Sequence, residues 1–415
     1  PHVHGHRSMK NMLKPHEHNL LSVLSEKDYR VWWGGKNDLV AVEEPGDYLR
    51  YCHTKHSPAP GNGERVLEPP AKHDPRWTVY YRGVATGSGK DWPHLSRDGG
   101  NVRGAVDLIA NEPLEDPLCI YLPLGAPHPP YQVEEDFYNM IDPDTLPKRL
   151  PPPENDLPAL NALRDIYGAE QVSDDAWREI RHVYYAMCTK VDHLFGQVVG
   201  ALKNRGIYDD TLIVFLSDHG DFAGDYSLPE KTHFSLQDAL LRVPFLIRPP
   251  ASFGTRSGVR EHLVELVDLC PTIFDLLDID PDYDTQGRSL RNSLLGDETE
   301  VHECAFAEVG SRPGEAAFIN ADVAAMPPDS FYALQSKASW PAHREGSYAV
   351  SCRTQDFKYV RRGYNEHHEL YDLNDDPGEL VNLSGRQDMA DVERRMEKHL
   401  LDYFMRTADV LPHKT

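Results

Sequence analysis

Ser217-Asp218-His219-Gly220 directly follows the apolar run Leu212-Ile213-Val214-Phe215-Leu216, which reads as a buried strand. A carboxylate beside an imidazole at a strand's carboxyl end can hold a divalent cation, and ligands of open α/β sheets bind at such ends. Lys231 and His233 follow in Glu230-Lys231-Thr232-His233-Phe234, and the lysine is within reach of the same cleft. His128 stands just past a second apolar run, 118–124, in Ala126-Pro127-His128-Pro129-Pro130, where prolines on both sides limit its backbone freedom. Lys36 ends a third run in Gly34-Gly35-Lys36-Asn37-Asp38, whose glycines let the backbone approach a ligand closely. Taken singly, each residue also fits a plain structural role: a capped turn at Asp218, a surface histidine in a proline turn, a solvated lysine. Together they predict three strand ends converging on one cleft. Two lysines, a histidine and a divalent cation suit the oxygens of a sulfate or phosphate ester, where they stabilise in-line displacement and the departing alkoxide. Asp218 and His219 do not complete a calcium site, because calcium takes six to eight oxygens.

The elements that must position these groups are legible as patterns. Residues 17–28 have a helical spacing of leucines, and 29–33 read as a strand stopped by Gly34-Gly35. Residues 101–111 read as a short helix and 179–205 as the strongest helix, with Gly206 as its stop. Residues 243–247 read as another buried strand and 261–277 as another helix. Strands alternating with helices predict an α/β fold with a mostly parallel central sheet flanked by helices. The character changes near residue 300: strands at 305–309, 348–353, 357–361 and 369–373 and a final helix at 389–405 predict a smaller C-terminal α+β domain on an antiparallel sheet. The expected domains are therefore 1–299 and 300–415. The irregular stretches 43–95, 142–160 and 310–346 are the candidate substrate-selecting loops.

Composition narrows the function. The 415 residues carry 43 basic and 66 acidic side chains, a net charge of −23, which argues against a nucleic-acid or anionic-membrane partner. No apolar run is long enough to span a bilayer. The six cysteines form no CxxC pair, and the early histidines His2, His4, His6, His16 and His18 match no compact zinc motif. The chain starts at Pro1 without a signal-like segment, so the sequence specifies no compartment.

Motifs in order along nearly the whole chain resemble the type I, formylglycine-dependent sulfatases of the alkaline phosphatase superfamily. Tyr29 to Lys36 resembles the family's strand with its GK signature, and Pro127-His128-Pro129-Pro130 its PH-x-P segment. Asp210 to Gly220 is the most specific match, Asp268-Leu269-Cys270-Pro271-Thr272 resembles the DLxPT helix, and Glu369 to Leu383 the C-terminal signature. The resemblance implies an alkaline phosphatase-like fold and hydrolysis of an organic sulfate monoester to alcohol and sulfate. It implies metal ligation by Asp218 and His219, with calcium the usual ion, and sulfate contacts from Lys36, His128 and Lys231. Many members have a histidine where this chain has Asp38; Asp38 and His233 are the candidate substrate-binding residues, and His233 is the one that could substitute for that histidine. The family's C/S-x-P-x-R nucleophile motif and an upstream aspartate pair do not occur in the chain, so the expectation is an N-terminally truncated sulfatase that is inert as it stands. The expected substrate is a small-molecule or carbohydrate sulfate ester. A phosphoester or phosphonate hydrolase of the same superfamily, or a non-catalytic remnant, are the alternatives.

Overall fold

The computed structural model describes residues 6, 12–58, 81–85, 96–113, 115–154, 156–281, 283, 285–296, 301–310, 312, 347–363 and 367–408. In chain order the main elements are α1 (Leu20–Glu26), β1 (Arg30–Gly34), β2 (Thr54–His56), β3 (Tyr81–Ala85), α2 (Arg97–Asn111), β4 (Leu118–Tyr121), β5 (Tyr131–Glu134), α3 (Glu135–Tyr138), α4 (Pro158–Tyr167) and α5 (Asp174–Arg205). There follow β6 (Ile213–Leu216), α6 (Asp238–Leu241), β7 (Phe245–Arg248), α7 (Leu269–Leu276), α8 (Arg291–Leu295), β8 (Ala305–Val309), β9 (Ala349–Arg353), β10 (Phe357–Arg362), β11 (Glu369–Asp372) and α9 (Ala390–Thr407). They form two compact units. One is built from the described parts of Ser8–Lys148 and Val172–Thr211, the other from those of Pro1–Arg7, Arg149–Gln171 and Leu212–Thr415. The expected boundary at 299/300 lies inside the second unit.

In the first unit β1 is central, with β2 and β4 parallel on either side of it. Val31, Trp32 and Trp33 of β1 are buried, as a strand covered on both faces requires. β3 pairs in parallel with β5. The stretch 43–95, read from sequence as an irregular excursion, thus contributes two parallel strands, β2 and β3. Residues 59–80 and 86–95 of that stretch lie outside the described residues. Helix α5 is started by the Ser173 side chain, which accepts from Ala176 N, with Asp174 and Asp175 in the first turn. It stops at Gly206, whose left-handed φ of 76° closes the last turn.

In the second unit β6 and β7 pair antiparallel, against the parallel trend. An apolar run specifies burial, and it says nothing about the direction of its neighbour. The helix expected over 261–277 is shorter. Leu263 forms an antiparallel bridge with His302, and a reciprocal cap between Glu265 and Asp268 opens a single 3-10 turn before α7. The C-terminal sheet is antiparallel throughout, in the order β11-β10-β9-β8. Helix α9 packs on it through Met396 and Leu400 against Val350, Cys352, Tyr359 and Leu370. Among the described residues no helix is long and apolar enough to cross a membrane. Most of the candidate loop 310–346 lies outside the described residues.

Candidate functional site

The first unit carries Lys36, Asp38 and His128. Lys36 and His128 follow the carboxyl ends of the neighbouring parallel strands β1 and β4. The Lys36 loop is held at its backbone from three sides. Lys36 N donates to Pro123 O at 2.9 Å, Trp33 Nε1 donates to Lys36 O at 2.9 Å, and Lys55 Nζ donates to Gly35 O at 2.7 Å. Gly35 sits at φ 111°, where an added Cβ would meet Pro123 O at 2.0 Å, so only glycine fits. Gly35→Ala should therefore cost about 1–3 kcal/mol of stability through backbone strain and displace Lys36, visible as a lower denaturant midpoint. Asp38 is ion-paired with Lys36, Oδ2 to Nζ at 2.8 Å. In this structure it is the lysine's partner.

Lys55 escaped the sequence reading because Thr54-Lys55-His56 lies in a stretch without pattern. Its ammonium is 5.3 Å from the Trp33 ring centre and 5.4 Å from that of Tyr48, and burial pushes its pKa down. Asp98 at the start of α2 also escaped. Its carboxylate accepts from Gly125 N at 2.9 Å and Ala126 N at 2.8 Å, fixing the loop that presents His128. His128 Nδ1 lies 2.8 Å from Pro129 O. A carbonyl can only accept, so Nδ1 carries the hydrogen and Nε2 is the lone-pair nitrogen of the neutral ring.

The second unit carries Asp218, His219, Lys231 and His233. The turn after β6 is held by Gly220 N donating to Leu240 O at 2.8 Å and Ser217 Oγ to His219 O at 2.7 Å. His219 Nδ1 lies 2.7 Å from Gly220 O, so Nδ1 carries a hydrogen and Nε2 is the nitrogen that can offer a lone pair to a metal. That nitrogen is 3.9 Å from Asp218 Oδ2, and the Asp218 side chain is 79% exposed. A metal-binding histidine needs this arrangement: one nitrogen tied to an acceptor, the other presenting its lone pair beside an oxygen ligand. Asp218 and His219 thus fit a divalent cation as part of a ligand set.

Lys231 is largely buried, with Nζ 3.3 Å from Glu230 Oε1. The His233 side chain is exposed at the surface. Desolvation, and then the Lys231 charge, push its imidazole below the ordinary histidine range, and His219 adds in the same direction.

Among the described residues one cluster has the spacing of a metal site: Glu265, Asp268 and His302. None of the three was singled out from the sequence as a ligand. Its carboxylates are already engaged. Asp268 accepts from Glu265 N at 2.8 Å, Arg288 N at 2.8 Å and His302 Nε2 at 2.9 Å, and Glu265 accepts from Phe306 N at 2.8 Å. The geometry is that of a buried clamp joining the start of α7 to the segment before β8. Burial holds the Glu265 carboxyl above its usual range.

Comparison with known proteins places the family and the fold. A family model described as Sulfatase matches residues 2–279. Arylsulfatase K of Danio rerio is 30% identical over 218 residues, covering 45% of this chain and 38% of that protein. The chain spans about half or less of the length of the first curated relatives it matches. The phosphonate monoester hydrolase of Agrobacterium radiobacter superposes with a TM-score of 0.74 at 22% identity, covering 98% of this chain and 83% of that one. A structure solved in complex with its substrate D-glucosamine-2-N,6-O-disulfate superposes with a TM-score of 0.65 at 16% identity, covering 98% of this chain and 85% of that one. These likenesses establish the alkaline phosphatase-like α/β fold. With the family model matching well over half of its length, the chain belongs to the sulfatase family.

Proposed function

We propose that this chain carries the metal-binding and sulfate-binding residues of a sulfuric ester hydrolase. The observation that carries the reading is His219: its Nδ1 is committed to Gly220 O, which leaves Nε2, 3.9 Å from Asp218 Oδ2 at the end of β6, as the nitrogen able to ligate a cation. Asp218 and His219 hold a divalent cation, and calcium is the ion that a carboxylate-rich family site favours. When bound, that cation supplies charge neutralisation at the ester oxygens. Lys36, His128 and Lys231 contact the sulfate oxygens, and Lys231 also stabilises the departing alkoxide. His233, its pKa pushed down by burial and Lys231, is neutral at pH 7 and available to hydrogen-bond the substrate or its leaving group. Asp38 acts on Lys36 through their ion pair.

Every group given a metal-binding or sulfate-binding role lies within residues 1–299, the catalytic domain of this reading, and 300–415 are the C-terminal domain that carries β8–β11. The substrate class is a small-molecule or carbohydrate sulfate ester, in keeping with the disulfated glucosamine bound by one structural neighbour. A phosphonate or phosphate ester is the second reading, favoured by the neighbour that hydrolyses phosphonate monoesters.

The test compares matched aryl sulfate, aryl phosphate and aryl phosphonate substrates, using protein that carries the family's nucleophile segment and calcium. The expected result is a kcat/KM for the sulfate at least about 10²-fold above the others, a ratio within reach of differential transition-state binding. A preference for the phosphonate would replace the sulfatase reading with the second one. No turnover of any of the three would remove both.

A further inference from the structure

We infer that the C-terminal antiparallel sheet sets the geometry of the segment carrying Lys231 and His233, with Arg362, Lys358 and Tyr226 as positioning residues. The inference rests on the roles proposed above for Lys231 and His233.

The segment between β6 and α6 is strained. Ala223, Tyr226, Ser227 and Glu230 all have positive φ, at 44°, 55°, 56° and 61°, and none is glycine. Side chains rarely accept this region, and such backbone persists only where its surroundings over-determine it. The strain ends at Glu230, directly before Lys231.

Surroundings of that kind are present on both flanks. Before Lys231, Tyr226 N donates to Leu150 O at 2.9 Å, and Arg164 Nε donates to Tyr226 O at 2.7 Å. Tyr226 Oη donates to Gly378 O at 3.0 Å, just past β11. Directly after His233, Arg362 Nη1 of β10 donates to Phe234 O at 3.1 Å, while the same guanidinium is held by Glu369 of β11 at 2.5 Å. Further on, Asp238 N donates to Glu379 Oε2 at 2.7 Å. Lys358 Nζ of β10, its side chain 1% exposed, bridges Asp238 Oδ1 at 2.9 Å and Glu379 Oε1 at 2.5 Å, and Arg353 Nε adds a contact to Asp238 Oδ2 at 3.1 Å. Burial alone would push the Asp238 carboxyl up, but the Lys358 and Arg353 charges outweigh it and hold the group below the usual carboxylate range.

This arrangement does more than fill a core. Apolar side chains of similar volume stabilise at least as well as a buried ion network, but they are not directional. Here the charged groups reach backbone atoms at Phe234, within the segment, and at Asp238, where α6 begins. Hydrogen bonds of fixed direction at both ends hold a strained backbone in one conformation, and that conformation aims Lys231 and His233.

The test uses Arg362→Met, Arg362→Lys and Tyr226→Phe in the full-length protein. Two readouts are taken: amide hydrogen exchange over 221–236 and over β9–β10, and kcat and KM on an aryl sulfate. For Arg362→Met, exchange over 221–236 should rise at least about tenfold while β9–β10 stay protected, as local opening requires. Its kcat should fall about 10- to 100-fold with KM changed less than about twofold, because misplaced groups cost chemistry more than binding. Arg362→Lys should recover part of both, since an ammonium still donates to Phe234 O. If Arg362→Met does not fold, Tyr226→Phe, which deletes only the hydroxyl bonded to Gly378 O, should show the same local rise in exchange. Unchanged exchange over 221–236, or a rise spread evenly over sheet and segment, would overturn the inference. Exchange does not depend on turnover, so an inactive wild type would remove the proposed function and still leave the clamp decided.

Discussion

Lys231→Ala, in protein carrying the family's nucleophile segment, should lower kcat on an aryl sulfate by about 10²–10³-fold, or about 2.7–4 kcal/mol, the range for loss of one preorganised oxyanion donor. The size follows from where the ammonium lies. Lys231 has a side chain only 20% exposed and sits at the end of a strained backbone segment, so little reorganisation is needed for it to meet developing negative charge. Glu230, at 3.3 Å, is a charged neighbour within salt-bridge distance. KM should change little if Lys231 acts mainly on the transition state. A second signature has a definite sign. The Lys231 charge disfavours a protonated His233 and holds its pKa down, so removing that charge should raise the His233 pKa. The acid limb of the pH–rate profile should then move to higher pH in the variant, and a Lys231→Arg variant should keep it low. Wild-type kcat in Lys231→Ala would remove the role assigned to the lysine. A large loss of kcat with an unmoved acid limb would separate Lys231 from His233.

The parts of this molecule that could be read from its sequence are those whose stabilisation is local. Helix α5 declares itself through periodic apolar residues and a Gly206 stop, while its start escaped: the observed span begins at Asp174, behind a Ser173 cap, five residues before the expected start. The four strands of the C-terminal sheet fall within a residue or so of their expected limits. The strand before Asp218 was legible because a short apolar run ending abruptly at charged residues is what a buried strand produces where it reaches the surface.

What escaped depends on partners distant in sequence. β2 is three residues, Thr54-Lys55-His56, and owes its strand conformation to pairing with β1. Lys55 gains meaning only from Gly35, Trp33 and Tyr48, and Asp98 only from the Gly125–Ala126 backbone. The error at 261–277 has the same origin. Leu263, Val264, Leu266 and Val267 mimic a helical stripe, yet Val264, Leu266 and Val267 are exposed. Leu263 pairs with His302, and the Glu265–Asp268 cap delays the helix to Leu269. Local pattern offered a helix there, and a long-range bridge with a buried Asp268–His302 contact prevailed.

Lys190→Ala should cost about 3–5 kcal/mol of stability, because it strands a buried charge. Lys190 of α5 meets Glu134 of β5 at 2.6 Å, and both side chains are only 9% exposed. Glu134 Oε2 has no hydrogen-bond partner among the described residues, so the ammonium is what makes the carboxylate tolerable there. The pair lies in a contact between α5 and the β3–β5 ribbon that is otherwise apolar or hydrogen-bonded. Tyr131 meets Tyr184 edge-on with ring centres 6.0 Å apart, and Glu179 accepts from Tyr81 and Tyr138, each at 2.8 Å. The decisive comparison is with the double variant Lys190→Met plus Glu134→Leu, which removes both charges and keeps the volume. Buried pairs replaced in this way are often neutral or gain about 1–4 kcal/mol. The double variant should therefore recover most of the lost denaturant midpoint, or exceed the wild type. If Lys190→Ala instead costs under about 1 kcal/mol, the range of an exposed pair, water reaches Glu134 and the pair is not a buried one. If the double variant is as unstable as the single, a stranded charge is not the cause of the loss.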